Sequence, residues 1–123
     1  MSTPKILTID DEVEFTHLID SYLSPRGYKV FVANEGVTGL AIAKREKPDV
    51  CLIDMKMPGM HGDEVMKEIF ALNPKAKVIM ITASEGEGKM RSDLVEMGAF
   101  TCFDKPLTSL KDLEREINKA LKS

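Results

Sequence analysis

The sequence predicts a doubly wound α/β domain, a five-stranded parallel sheet with helices on both faces. Three observations carry this. Five short apolar runs alternate with five stretches of helical periodicity across residues 5–121. Each run is too short for a helix and is bounded by turn residues. No repeat, linker or low-complexity segment interrupts the alternation, so right-handed crossovers lay successive strands parallel.

Taken in order, Lys5-Ile6-Leu7-Thr8-Ile9 is the first strand, and it stops at Asp10-Asp11-Glu12. The next helix shows Phe15, Leu18, Ile19, Tyr22 and Leu23 at the spacing of one buried face, and Pro25 and Gly27 end it. Lys29-Val30-Phe31-Val32-Ala33 is the second strand. Asn34 then reads as the N-cap of a helix running to about residue 47, with Val37, Leu40 and Ala41 facing inward and Pro48 stopping it. Val50-Cys51-Leu52-Ile53-Asp54 is a strand buried on both faces. A helix over 63–72 follows, with Val65, Met66, Ile69 and Phe70 as its stripe.

Lys77-Val78-Ile79-Met80-Ile81 is the fourth strand, ending at Thr82-Ala83-Ser84. Glu85-Gly86-Glu87-Gly88 has the least to bury and reads as the loosest stretch. Met90, Leu94 and Met97 share one face of a helix over 89–97. Thr101-Cys102-Phe103-Asp104 is the fifth strand, followed by Lys105-Pro106. Ser109 and Asp112 have capping-box spacing, and Leu110, Leu113, Ile117 and Leu121 make the last helix amphipathic.

At 123 residues, 43% apolar and 30% charged, the chain reads as a single domain, residues 1–123, with no output domain. It is large enough to fold without disulfides or metals. A net charge of −3 without a basic stripe argues against nucleic acid as a direct partner. No apolar run reaches the roughly 18–20 residues of a membrane span, and the start lacks a signal-peptide pattern. The expected location is the cytoplasm.

For five strands, the flavodoxin-like order 2-1-3-4-5 is a common solution, with its switch point between strands 1 and 3. It places Asp10 and Asp11 beside Asp54, with Thr82 and Lys105 on the same edge. In that order one strand separates Cys51 from Cys102, leaving them roughly 9–10 Å apart, too far for a disulfide. Both read as buried thiols. His17 and His61 read as surface residues, with nothing to pair them as metal ligands or as a catalytic base.

Three converging carboxylates cannot all stay ionised without compensation. A site of hard oxygens at an open rim suits Mg²⁺, with Mn²⁺ fitting the same ligands. Taken singly, Asp10 or Asp11 reads equally well as a helix cap, Thr82 as a turn cap and Lys105 as a solvated lysine. Together, metal, ammonium and hydroxyl make a pocket for a phosphoryl group, with a carboxylate placed to form an acyl phosphate.

Ile9-Asp10-Asp11-Glu12, Asp54-Met55-Lys56-Met57-Pro58-Gly59-Met60-His61-Gly62, Ile81-Thr82-Ala83, Gly98-Ala99 and Lys105-Pro106-Leu107 follow one another in fixed spacing. In this the chain resembles the receiver domains of bacterial two-component response regulators, in particular single-domain, chemotaxis-regulator-like ones. The resemblance implies that Asp54 is the phosphoacceptor, taking its phosphoryl group from a sensor histidine kinase or a histidine phosphotransfer protein. It implies that Asp11, Asp54 and the backbone carbonyl of Lys56 ligate Mg²⁺, with Asp10 acting through water. Thr82 and Lys105 would hold phosphoryl oxygens, and Lys105-Pro106 would be a cis peptide. The domain would be no conventional enzyme, catalysing only its own phosphorylation and dephosphorylation.

Two positions bear on how the signal travels. Where the family carries an aromatic switch, three residues before Lys105, this chain has Cys102, and a thiol cannot make that move. Phe103 points to the opposite face of its strand. Lys56 and Ser84 occupy the positions that flank the attacking water in the family. Either Lys56 shields the acyl phosphate or it points into water. The fourth helix, fifth strand and fifth helix form the expected surface for an unknown downstream protein, with the chain a monomer or a phosphorylation-dependent dimer. The rival expectation is a degenerate receiver that binds partners without phosphate, and Cys102 is the feature in its favour. A flavin-binding protein is disfavoured by the acids after the first strand, and a haloacid-dehalogenase-type phosphatase by Lys56 where its second Asp belongs.

Overall fold

A computed structural model describes residues 3–83 and 88–123, and the side chains of all of these except 88–90. Five parallel strands run in the order β2-β1-β3-β4-β5: β1 (Lys5–Ile9), β2 (Lys29–Ala33), β3 (Val50–Asp54), β4 (Lys77–Thr82) and β5 (Thr101–Asp104). The helices are α1 (Val13–Leu23), α2 (Gly36–Glu46), α3 (Gly62–Leu72), α4 (Gly88–Glu96) and α5 (Leu110–Leu121), with a 3₁₀ turn at Ser24–Arg26. The predicted class and strand order hold.

Strand alternation divides the core in two. Ile6, Val50, Leu52 and Ile79 meet Ile19 and Leu23 of α1 and Leu113 and Ile117 of α5. Leu7, Ile53, Val78 and Met80 meet Ile42 of α2, Met66 and Ile69 of α3 and Leu94 of α4. Every residue of β3 is buried, as a central strand covered on both faces requires. Cys51 and Cys102 are both free and buried, and burial pushes the Cys51 thiol up to about 12.

Two helix faces and one cap differ from expectation. Leu18 is exposed, and Thr16, whose hydroxyl donates to Val13 O, takes the buried position in α1. In α2, Val37 and Ala41 are exposed, while Gly36, Gly39, Ile42 and Ala43 face the sheet. Packing decides this. A Cβ on Gly39 would lie 2.4 Å from Ile9 Cδ1, so any other residue there would have to push the buried Ile9 side chain aside. Asn34 is not the cap either. Glu35 holds that position, and the Asn34 amide donates instead to Asp10 O (2.8 Å) and Thr16 Oγ1 (3.1 Å). Ser109 caps α5 as expected, accepting from Asp112 N.

Candidate functional site

The polar strand ends collect on one edge. Ile9 pairs with Ile53 across β1 and β3, so Asp10 and Asp54 leave the sheet side by side, one step beyond. Asp54 pairs with Ile81, and Thr82 pairs with Asp104, the residue before Lys105. Lys105 N donates to Thr82 O at 2.7 Å, and the Lys105-Pro106 peptide is cis.

Carboxylate oxygens of Asp10, Asp11 and Asp54 lie within 4.8 Å of one another, Asp10 and Asp54 buried and Asp11 exposed. Lys105 Nζ stands 2.7 Å from Asp10 Oδ2 and 3.7 Å from Asp54 Oδ2. It also pairs with Glu12 Oε1 and lies 4.7 Å from the Phe15 ring centroid. Asp10 Oδ1 accepts from Glu12 N. Asp10 Oδ2 accepts no well-aligned hydrogen bond and has only the nearby charge of Lys105. Thr82 Oγ1 is buried with no hydrogen-bond partner in the described structure, which is costly unless a ligand or water supplies one.

The charges interact strongly. Burial, then the charge of Asp10 and the carboxyl of Asp11, push Asp54 up to about 7, with Lys105 acting the other way. Burial also raises Asp10 against the pull of Lys105. For Lys105, burial disfavours the ammonium, but its contacts with Asp10 and Glu12 outweigh that and raise its pKa. One ammonium faces three aspartates, so a cation would relieve the excess negative charge. The all-oxygen donor set fits a hard divalent ion.

Lys56 is exposed, two residues beyond Asp54. Ser84 and the stretch Glu85-Gly86-Glu87 lie outside the described residues, as do the side chains of Lys89 and Met90. Cys102 is buried on the α2–α3–α4 side and Phe103 packs on the α1–α5 side, the opposite faces expected of neighbours in a strand. Arg91 of α4 spans this strand end, donating to Cys102 O (2.8 Å) and Asp104 Oδ1 (2.9 Å).

Four contributors escaped the sequence reading. Glu12 and Phe15 wall Lys105, and Asn34 ties β2 to Asp10 O. Gly62, the first residue of α3, sits against the end of β3: its N donates to Met55 O at 2.8 Å, and a Cβ there would lie 2.3 Å from Asp54 O. The run of three acids at 10–12 was the available signal for Glu12.

Comparison with known proteins gives this geometry its family. The model of the response regulator receiver domain matches residues 6–118. This chain belongs to that family. Sporulation initiation phosphotransferase F of Bacillus subtilis is 39% identical over 106 residues, 86% of this receiver and 85% of that protein. A CheY-like response regulator receiver domain protein from Methanospirillum hungatei superposes with a TM-score of 0.90 at 29% identity, covering 98% of this chain and 95% of that one. The Borrelia burgdorferi CheX-CheY-BeF3-Mg complex superposes with a TM-score of 0.85 at 27% identity, covering 94% and 88%. The receiver spans about half the length of several transcriptional regulators that it also matches. Among the described residues no helix is long and apolar enough to cross a membrane.

Proposed function

We propose that this receiver accepts a phosphoryl group on Asp54 from the phosphohistidine of a sensor kinase or a phosphotransfer protein. The observation that carries the reading is the single sheet edge holding Asp10, Asp11, Asp54, the unpartnered Thr82 hydroxyl and Lys105. A carboxylate oxygen of Asp54 attacks phosphorus. The P–O bond forms as the P–N bond breaks, and the imidazole leaves with that electron pair and takes up a proton. Lys105 moves its ammonium onto a phosphoryl oxygen, and the Thr82 hydroxyl donates to another, gaining the partner it lacks. Asp11, Asp54 and the Lys56 carbonyl would hold Mg²⁺, with Asp10 behind it. Bound there, the ion supplies countercharge to the carboxylates and the transferred group. The magnesium and beryllofluoride named for the Borrelia burgdorferi neighbour support this choice, and Mn²⁺ suits the same oxygens.

Phosphorylation adds about −1.5 to −2 charges and shifts a two-state equilibrium by the contacts it makes in one state. The surface we assign to the downstream partner is α4–β5–α5. It carries a hollow of about 560 Å³ lined by Arg91, Asp104, Pro106, Leu107, Asp112 and Arg115. Cys102 favours a second reading, a receiver that binds its partner without phosphate.

Intact-mass spectrometry after incubation with acetyl phosphate separates the two. The proposed function predicts one added phosphoryl group in Mg²⁺ and none in EDTA. No addition to the folded protein in Mg²⁺ would favour the phosphate-independent module.

A further inference from the structure

Glu12 has no part in the chemistry proposed for Asp54, yet its carboxylate closes on the lysine that chemistry uses. An ammonium has three donors and no acceptor. Around Lys105 Nζ stand Asp10 Oδ2 at 2.7 Å, Glu12 Oε1 and, farther off at 3.7 Å, Asp54 Oδ2. The Phe15 ring forms another wall. Only Asp10 and Glu12 are at hydrogen-bond distance, so a phosphoryl oxygen that draws this nitrogen toward Asp54 competes with those two contacts. Asp10 is buried and tied through Oδ1 to Glu12 N, and Asp54 is the acceptor itself. The Glu12 side chain is 62% exposed and stands just before the first turn of α1, so it can withdraw into water.

We propose that Glu12 is a positioning residue that holds Lys105 in its phosphate-free pose and competes with a phosphoryl group that draws the lysine toward Asp54. This rests on the roles given above to Asp54 and Lys105. The carboxylate acts as an internal competitor of the phosphoryl group. It weakens phosphoryl binding while leaving the metal ligands untouched. An exposed ion pair is weak, so the effect is a tuning of affinity.

The test is calorimetric titration with beryllofluoride at saturating Mg²⁺, for wild type, Glu12→Gln and Glu14→Gln. Glu14 is exposed in the first turn of α1 and makes no ion pair among the described residues, so its variant reports the effect of removing charge alone. The proposal predicts that Glu12→Gln binds beryllofluoride about two- to fivefold tighter, with no tightening for Mg²⁺ alone and none in Glu14→Gln. Equal or weaker binding by Glu12→Gln, or the same gain in Glu14→Gln, would overturn it. Wild type that fails to bind beryllofluoride would instead overturn the phosphoacceptor reading, and the competitor role with it.

Discussion

Lys105 Nζ stands closer to Asp10 Oδ2, at 2.7 Å, than to Asp54 Oδ2, at 3.7 Å. The resting ammonium therefore belongs to Asp10 more than to Asp54. Asp54 is left buried, beside two other acids, with its countercharge at 3.7 Å, too far for a hydrogen bond. That imbalance makes the edge both unstable and ready for a cation.

The instability has a sign and a pH window. An unfolded Asp54 loses its proton near 3.8, whereas the folded group holds it to about 7. Between these values the native state binds more protons, so stability falls as pH rises through the window and the penalty is complete above it. In EDTA at pH 8, Asp54→Asn should stabilise the fold by roughly 1–3 kcal/mol. The gain should vanish below about pH 4, and Mg²⁺ should raise the melting temperature of wild type more than that of the variant. Urea unfolding across the pH range checks this, and a variant less stable than wild type at pH 8 would contradict it.

Gly62 is where α3 touches the end of β3 that carries Asp54. With its Cβ position 2.3 Å from Asp54 O, Gly62→Ala must push backbone against backbone. The expected loss is about 1–3 kcal/mol, together with slower phosphorylation because Asp54 moves. Denaturant midpoints and acetyl phosphate labelling rates measure the two effects separately.

Lys56 is exposed beside Asp54, and its long cation can reach a phosphoryl group that water must also approach. Lys56→Ala should speed decay of the acyl phosphate by about three- to tenfold, up to ~1.4 kcal/mol of barrier. Unchanged or slower decay, followed by mass spectrometry after removal of the donor, would assign Lys56 to solvent.

The two thiols should be inert in the folded protein. Burial pushes Cys51 up to about 12 and also raises Cys102, against the opposing charge of Arg91. A thiol-specific dye at pH 8 should react at least roughly 100-fold more slowly in the native state than in guanidinium. Fast native labelling of Cys102 would mean that β5 opens readily.

The strands were legible because each is an apolar run ended by a polar or turn residue, and the same stops delivered Asp10, Asp54, Thr82 and Lys105. Helix faces were harder. Periodicity chose Val37 and Ala41 in α2, but close approach to the sheet favours Gly36 and Gly39, which carry no hydrophobic signal. Asn34 looked like a cap because its residue type suits one, and a contact with Thr16, eighteen residues away, outbid that role. Glu12 and Phe15 acquire meaning only when Lys105 folds back across 93 residues, a contact that local pattern does not encode.

Asp54 is proposed to carry the phosphoryl group. The most direct measurement is borohydride reduction of the acetyl phosphate-treated protein in Mg²⁺, followed by peptide sequencing in a mass spectrometer. Reductive conversion is expected at position 54 alone, dependent on the metal and absent without the phosphodonor. Conversion at another carboxylate, or none in a protein that binds Mg²⁺ and is folded, would contradict it.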